Sequence, residues 1–255
     1  MGRVQKIAIA LAALLLTVPV WASTLPFKFV LDKVTDAWAP HKKGGLIVQW
    51  EVQRYSRGAP VGAPAKGTLS LRGGMYRAEA GEGDARVVRL YDNTRGVTLM
   101  EGRVAPMAPE TVASLPEGIF LRGRDSLASL LESYGISGDT ASWGRMPQPG
   151  EELMFRPVLR YGAAAGPDDL THPQVWIEPH RFLIHRIVAL EGDQPLVVDY
   201  RGHGAVAETL PWLPSDITVR LGGKILWTGH LTGVSDKLPT DKTFSVQALE
   251  AEATR

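Results

Sequence analysis

Apolar and polar residues alternate along most of the chain. In LIVQWEVQRY, residues 46–55, the side chains of Val48, Trp50 and Val52 fall on one face and polar side chains on the other. This period of two is typical of half-buried β-strands. It recurs in GTLSLR, RVVRLYD, GVTLMEG, ELMFRPVLRYG, QVWIE, RFLIHRIVALEG and PLVVDYRG, with Gly, Pro and Asp between the segments. The pattern predicts one long antiparallel meander.

A further hairpin is predicted in LPSDITVRLGGKILWTGHLTGVSDKLPTDKTF, residues 213–244. Ile217, Val219 and Leu221 alternate with polar residues before the Gly-Gly turn, and Ile225 and Trp227 continue the alternation after it. One face of this hairpin is therefore apolar and needs a cover.

Helical spacing of apolar residues occurs in two segments, which predict helices over Phe27–Trp38 and Asp125–Tyr134. Asp125 suits the N-cap of the second helix, and Gly135 stands where a C-terminal glycine belongs. The stripes consist of Phe27, Val30, Leu31, Val34 and Trp38 in the first helix and of Leu127, Leu130, Leu131 and Tyr134 in the second.

A long sheet with only two helices to cover it favours one fold class over the others. A sheet of this length must curl or close. We therefore predict a mainly β (α+β) protein, in which a strongly curved antiparallel sheet forms an incomplete barrel covered on its concave side by both helices. A two-sheet sandwich fits less well. Residues 23–255 are expected to form a single domain.

The N-terminal residues 1–22 have the features of a secretory signal peptide. MGRVQK is basic, IAIALAALLLTVPV is apolar but too short for a membrane span, and Val20 and Ala22 occupy the −3 and −1 positions for cleavage before Ser23. The alternative is a buried N-terminal helix. The sequence has no cysteine, so it offers no site for lipid modification or a disulfide. The expected location is the periplasm.

Charge and motif content argue against several functions. The chain has 28 Lys and Arg against 27 Asp and Glu, with no basic stripe, so nucleic acid is not an expected partner. Its six histidines match no spacing of a metal site, and it has no GxSxG motif. We expect no enzyme activity, no cofactor and no metal. The alternative is a periplasmic hydrolase whose His, Asp and Ser or Thr side chains converge from loops.

Four tryptophans in or beside the predicted strands have two interpretations. Trp50, Trp176, Trp212 and Trp227 are either ordinary core residues or part of the wall of an apolar cavity. Both interpretations bury the same side chains, so the sequence leaves them open.

Several segments, in order, resemble LolA-like outer-membrane lipoprotein-sorting proteins. FVLDKVTDAW, LIVQWEVQRY and KGTLSLRGGMYR are similar to the N-terminal part of that family, and QVWIEPHRFLIHRIVAL and residues 213–244 to its C-terminal part. Gly73 stands where the family usually has proline. The matching positions of the third segment are Gly67, Leu69, Leu71, Arg72, Met75 and Tyr76.

The resemblance implies an incomplete barrel with helices in its mouth and an apolar cavity between them. It implies a monomeric periplasmic carrier that binds the acyl chains of lipoproteins or lipids and takes them to the outer membrane. Such a carrier would interact with transfer partners at the inner and outer membranes. It also makes Arg72 the candidate residue for holding the helix lid closed. An envelope sensor of the same fold is the alternative.

An acyl-chain site is expected on the concave side of the sheet, because two narrow helical stripes cannot cover all of its apolar face. The expected walls are Val48, Trp50, Val52, Leu69, Leu71 and Trp176, with Leu127 and Leu131 as lid residues.

Overall fold

A computed structural model of the chain describes residues 24–38, 44–83, 86–107, 123–148, 151–163, 169–205, 208–235 and 237–253. The predicted signal peptide lies outside the described residues. Within those residues, no helix has the length and apolar character needed to cross a bilayer.

The alternating segments form thirteen strands of one antiparallel sheet. Among the described residues, the helices are α1 (Phe27–Ala37), α2 (Arg124–Ser133) and α3 (Val246–Ala253), and a 3₁₀ turn covers Asp241–Phe244. The strands are β1 (Leu46–Ser56), β2 (Ala59–Arg72), β3 (Met75–Ala80), β4 (Val87–Tyr91), β5 (Gly96–Met100), β6 (Arg103–Pro106), β7 (Ala141–Gln148), β8 (Glu151–Gly162), β9 (Gln174–Glu178), β10 (Leu183–Glu191), β11 (Gln194–Arg201), β12 (Asp216–Leu221) and β13 (Lys224–Ser235).

The strand order differs from a simple meander. It runs β6-β5-β4-β3-β2-β1-β13-β12-β11-β10-β9-β8-β7, so the first and last strands pair in the middle of the sheet. The chain proceeds from β1 outward to the edge strand β6. The segment that contains α2 then leads to the opposite edge strand, β7, from which the chain returns to the middle. Because β6 and β7 do not pair, the barrel is incomplete, as predicted.

Both predicted helices lie against the concave face of the sheet. Val30, Leu31 and Val34 of α1 and Leu127 and Leu131 of α2 are fully buried. These five residues pack in one core with the inward side chains of both halves of the sheet. The expected cover is therefore confirmed.

The ends of α2 are close to the expected positions. Gly123, rather than Asp125, is the N-cap residue, and Asp125 lies in the first turn. Gly135 has a φ of +78°, and the N–H of Ile136 donates to the carbonyl of Leu131 at 3.0 Å. This left-handed glycine ends the helix as predicted.

A third helix, α3, packs on the outer face of the sheet, which the sequence analysis did not anticipate. Its buried residues Val246 and Leu249 form a separate core with outward side chains of β4 and β5. In β4, the outward residues Val88 and Leu90 are fully buried. The outer face of the sheet is thus apolar at this point.

Ion pairs attach α3 to β3. The guanidinium of Arg77 donates to Glu252 of α3 at 2.9 Å and to Glu79 at 3.1 Å. Arg86 contacts the same two carboxylates at 2.8 and 2.6 Å. Burial raises the pKa of Glu79 and of Glu252, but the hydrogen bonds and charges of the two arginines outweigh it, so both pKa values lie below the ordinary glutamate value of 4.5.

Arg72 has a different role from the one expected. Its guanidinium donates to the carbonyl of Pro239 at 2.9 Å, pairs with Asp241 and lies over the ring of Phe244 at 5.4 Å. The β2–β3 pairing places Arg72 next to Leu71, an inward residue, so its own side chain is on the outer face. The prediction that Arg72 holds a helix lid closed is wrong, because α1 and α2 lie on the other side of the sheet.

Candidate binding groove

The helices cover only one end of the concave face. Along β1, the inward residues Val48 and Trp50 are buried, Val52 is half-buried and Arg54 is exposed. The neighbouring strand β2 has the same gradient, from the fully buried Leu71 to the half-buried Ala65. The uncovered end of this face forms a groove.

The groove is apolar over most of its wall. The groove has a cavity volume of about 90 Å³ and is open to solvent on one side, so it is smaller than the enclosed pockets of about 300–1,000 Å³ that usually bind ligands. The inward-facing residues that line it come from β1, β2, β3, β4, β12 and β13, and they are Trp50, Val52, Arg54, Gly67, Leu69, Ala78, Ala80, Val87, Arg89, Ile217, Trp227 and Gly229.

Two inward-facing glycines lie in the wall of the groove. Gly67 pairs with Trp50 on one side of β1, and Gly229 pairs with Val52 on the other. A Cβ atom on Gly229 would lie 3.3 Å from the ring of Trp227 and 3.5 Å from that of Trp50. The absence of a side chain at Gly229 thus makes room for the two indole rings that line the groove.

Some predicted site residues meet at this groove and others lie deeper. Trp50, Val52 and Leu69 line it. Val48 and Leu71 are fully buried in the core, as are the expected lid residues Leu127 and Leu131. Contact of these four residues with a lipid stays a prediction, since it requires α1 and α2 to move.

Trp176 does not lie with the other predicted wall residues. Its neighbours Val175 and Ile177 face the concave core, so Trp176 points to the outer face, where it packs against Val158. There the guanidinium of Arg186 lies 4.9 Å from its ring centroid. All five residues of β9 are buried, and for this reason the sequence pattern assigned the wrong face to Trp176.

The groove also includes residues that the sequence analysis did not select. Trp212 is a core residue, whereas Trp227 is half-buried and lines the groove. Ile217 was recognised as part of an apolar face but not as a site residue. The sequence did contain a signal that Gly67 and Gly229 belong to the site, because each glycine occupies an inward position in an alternating strand.

A polar anchor holds α1 in place over the core. The Tyr161 hydroxyl of β8 donates to the carbonyl of Leu25 at 2.5 Å, and its ring packs against Phe27 at 4.7 Å. Burial raises the pKa of Tyr161 to about 12. Arg124 of α2 contacts Asp32 of α1 at 3.3 Å. The cover is therefore packed and hydrogen-bonded at several points.

Comparison with known proteins identifies the fold to which this architecture corresponds. No protein-family model matches the sequence, and no curated protein matches it in sequence. The structure of a LolA superfamily protein from Nitrosomonas europaea superposes with a TM-score of 0.53 at 9% identity, covering 88% of this chain and 99% of that one. The chain has the LolA fold.

Two further solved structures resemble this chain in fold. A domain from Vibrio parahaemolyticus, classed with outer membrane lipoprotein-sorting proteins, matches with a TM-score of 0.53 at 8% identity, covering 86% of this chain and 97% of that one. A DUF1329 family protein from Desulfovibrio piger matches with a TM-score of 0.56 at 11% identity, covering 89% and 100%. At these identities the likeness concerns the fold.

Two hydrogen-bonded clusters contain the residue types that the hydrolase alternative requires. In one, Asp216 accepts from Ser215 and contacts Nδ1 of His230 at 2.8 Å. In the other, Thr171 donates to Asp169 at 2.6 Å, and Nδ1 of His172 contacts both residues. In a nucleophile–base pair the histidine lies between hydroxyl and carboxylate. Here each hydroxyl donates to the carboxylate instead.

Neither cluster lies in the groove, and both histidines are exposed. Among the residues that the structure describes, no three His, Asp or Glu side chains are placed to share a metal ion. The apolar groove is therefore the feature of the LolA fold in this chain that best fits a ligand.

Proposed function

We propose that this protein binds the acyl chains of lipids or lipoproteins in the groove and carries them through the bacterial envelope. The observation that carries the proposal is the apolar depression beside Trp50 and Trp227, with Gly67 and Gly229 in its floor. An apolar depression of this kind suits a hydrocarbon chain, since burying each methylene contributes about 0.8 kcal/mol.

We also propose that the protein acts outside the cytoplasm. Residues 1–22 carry the pattern of a cleavable signal peptide, and residues 23–255 would then act as one exported domain. The fold supports a carrier role, because two of the solved structures with this fold are a LolA superfamily protein and a domain classed with lipoprotein-sorting proteins. Transfer partners at the two membranes are part of the proposal.

Quenching of tryptophan fluorescence by a brominated fatty acid tests where the chain binds. Bromine on the acyl chain quenches an indole ring at contact distance, so we expect saturable quenching in the wild-type protein. A double variant, Trp50→Phe with Trp227→Phe, should bind the same lipid in a competition assay but lose most of the quenching.

Trp212→Phe is the matched control, because Trp212 is buried in the core away from the groove lining. It should keep the quenching of the wild-type protein. Full quenching in the double variant would place the chain elsewhere and contradict the proposed site.

A further inference from the structure

A polar cavity lies on the outer face of the sheet, away from the groove. It has a volume of about 340 Å³ and is open to solvent, a size within the range of about 300–1,000 Å³ that is usual for ligand pockets. One wall is the outer face of β2 and β3, and the other is the C-terminal segment that contains the 3₁₀ turn and α3. The sheet therefore separates this cavity from the concave face.

The wall formed by the sheet contains a buried hydroxyl. Thr68 and Ser70 of β2 pair with Glu79 and Arg77 of β3, and all four side chains lie on the outer face because Leu69 faces the concave core. Ser70 is only 5% exposed, yet among the described residues no protein group forms a hydrogen bond with its hydroxyl. Buried hydroxyls are nearly always hydrogen-bonded, so Ser70 needs a partner from within the cavity.

The opposite wall adds two hydroxyls and is held firmly in place. The side-chain oxygens of Thr240 and Thr243 lie 3.2 Å apart, and both residues line the cavity. The guanidinium of Arg72 fixes the start of this segment to β2 by donating to the carbonyl of Pro239 at 2.9 Å. Phe244, at the end of the 3₁₀ turn, is buried. The hydroxyls of the two walls are therefore preorganised around one cavity.

The charged residues in the lining balance one another. Arg77 and Lys242 are cations, and Glu79 and Glu252 are anions. Arg77 donates to the two carboxylates at 3.1 and 2.9 Å, so these three charges are already paired. An anionic ligand would approach two carboxylates, and a cationic ligand would approach two cations. None of the described lining residues is apolar, so the cavity does not suit a hydrocarbon chain either.

We infer that this cavity is a second binding site, for a neutral sugar. Each hydroxyl of a sugar both donates and accepts, which matches a lining of hydroxyls, a donating guanidinium and accepting carboxylates. One sugar hydroxyl would complete the hydrogen bonding of Ser70. A free sugar and the sugar unit of a longer glycan share this chemistry. The inference does not depend on acyl-chain binding, because the two sites lie on opposite faces of the sheet.

The two carboxylates suit binding rather than cleavage of a sugar. They are close together, since Nη2 of Arg77 contacts both, and glycosidases also use a pair of carboxyl groups. One carboxyl of such a pair acts as a general acid and needs a raised pKa. Burial raises the pKa of Glu79 and of Glu252, but the hydrogen bonds and charges of Arg77 and Arg86 bring both pKa values below the ordinary glutamate value. Both groups therefore act as hydrogen-bond acceptors.

Titration of the isotope-labelled protein, followed by NMR, tests the inference. The probes are methyl glucoside, the disaccharide N,N′-diacetylchitobiose and, as an anion, inorganic phosphate. We expect both sugars to shift the amide signals of residues 68–70, 77–79 and 240–243 in a saturable way, with a Kd on the order of 1 mM. Phosphate should leave these signals unchanged. Tighter binding of the disaccharide would identify a longer glycan as the source, and equal binding a single sugar.

Ser70→Ala and Thr68→Val should each weaken sugar binding by about fivefold, because each removes one hydrogen bond. Ser56→Ala is the control, since Ser56 is exposed on β1 and does not line the cavity. It should keep the wild-type Kd for both sugars. All three variants should bind palmitate with the affinity of the wild-type protein.

Three results would overturn the sugar site. They are the failure of both sugars to shift these amide signals, a shift caused by phosphate instead, and an equal Kd for sugar in the wild-type protein and in the Ser70→Ala and Thr68→Val variants. Each of them leaves palmitate binding, and with it the proposed function, intact. Failure to bind palmitate would instead overturn the proposed function and leave the sugar site standing.

Discussion

Replacing Ala80 by phenylalanine should abolish acyl-chain binding while the protein stays folded. Ala80 is half-buried, lines the groove and pairs with Gly67 of β2 on one side and Val87 of β4 on the other. A phenyl ring at this position would extend over Gly67 and occupy the space beside Trp50. The sheet itself would be unaffected, since phenylalanine is a favourable strand residue.

The expected loss of affinity is large. If the ring displaces five methylenes of the ligand, the lost burial is about 4 kcal/mol, and each 1.4 kcal/mol changes Kd tenfold. Binding of palmitate should therefore weaken by more than about a hundredfold. Thermal unfolding of the variant would check that the fold is retained.

Lys66→Phe is the control for this substitution. It adds the same ring to an exposed position on the outer face of the adjacent strand. Its Kd for palmitate should match that of the wild-type protein. Unchanged binding in Ala80→Phe would mean that the chain binds elsewhere, and equal loss in both variants would indicate a nonspecific effect of the added ring.

Acidification should release α3 from the sheet before the central sheet unfolds. The pKa values of Glu79 and Glu252 are lowered in the folded protein, so their pairing with Arg77 and Arg86 stabilises the fold above the ordinary glutamate value of 4.5. This contribution is lost as pH falls through the lower, folded pKa values. Because α3 buries few residues apart from Val246 and Leu249, the helix depends on these ion pairs.

The release of α3 can be measured by amide hydrogen exchange of residues 246–253, after correction for the effect of pH on the intrinsic exchange rate. At pH 7, Glu252→Gln should speed hydrogen exchange of this segment by roughly tenfold. A tenfold change corresponds to a free-energy difference of about 1.4 kcal/mol, close to the lower end of the roughly 1.5–3 kcal/mol that a hydrogen bond to a charged group contributes. The lower end applies because the side chain of Glu252 is 36% exposed.

Glu250→Gln is the matched control on the same helix, because Glu250 pairs only at 3.8 Å with an exposed Arg95. Its exchange should equal that of the wild-type protein. If Glu250→Gln and Glu252→Gln had the same effect, or if α3 were equally protected at pH 3 and pH 7, the ion pairs would not be what holds the helix.

The sequence predicted the helical cover well because the relevant signal is local. The stripe of Phe27, Val30, Leu31 and Val34 can be recognised from the period of the helix alone. In the structure the last three of these residues are fully buried. The inward face of β1 was also assigned correctly, because its polar residues mark the opposite face.

The assignment of faces failed where both faces of a strand are apolar. In β9, Trp176 is flanked by two apolar residues, so alternation cannot distinguish the core face from the outer face. In β13, a register shift between Val219 and Arg220 places Ile225 opposite the outward-facing Arg220. The predicted alternation of Ile225 with Trp227 therefore breaks at a bulge that no local pattern reveals.

Long-range contacts were the other feature that the sequence could not provide. The helix α3 has only two buried apolar residues, and its position depends on Arg77 and Glu252, which are 175 residues apart. The contact of Arg72 with Pro239 and Asp241 is of the same kind. The groove likewise forms only where β1 meets both β2 and β13 in the middle of the sheet.

Native mass spectrometry of the mature protein purified from a periplasmic extract tests acyl-chain binding most directly. We predict that the wild-type protein carries a lipid or lipoprotein that is released on activation, and that Ala80→Phe, purified in the same way, carries none. Wild-type protein of bare polypeptide mass that also fails to take up palmitate would contradict the account.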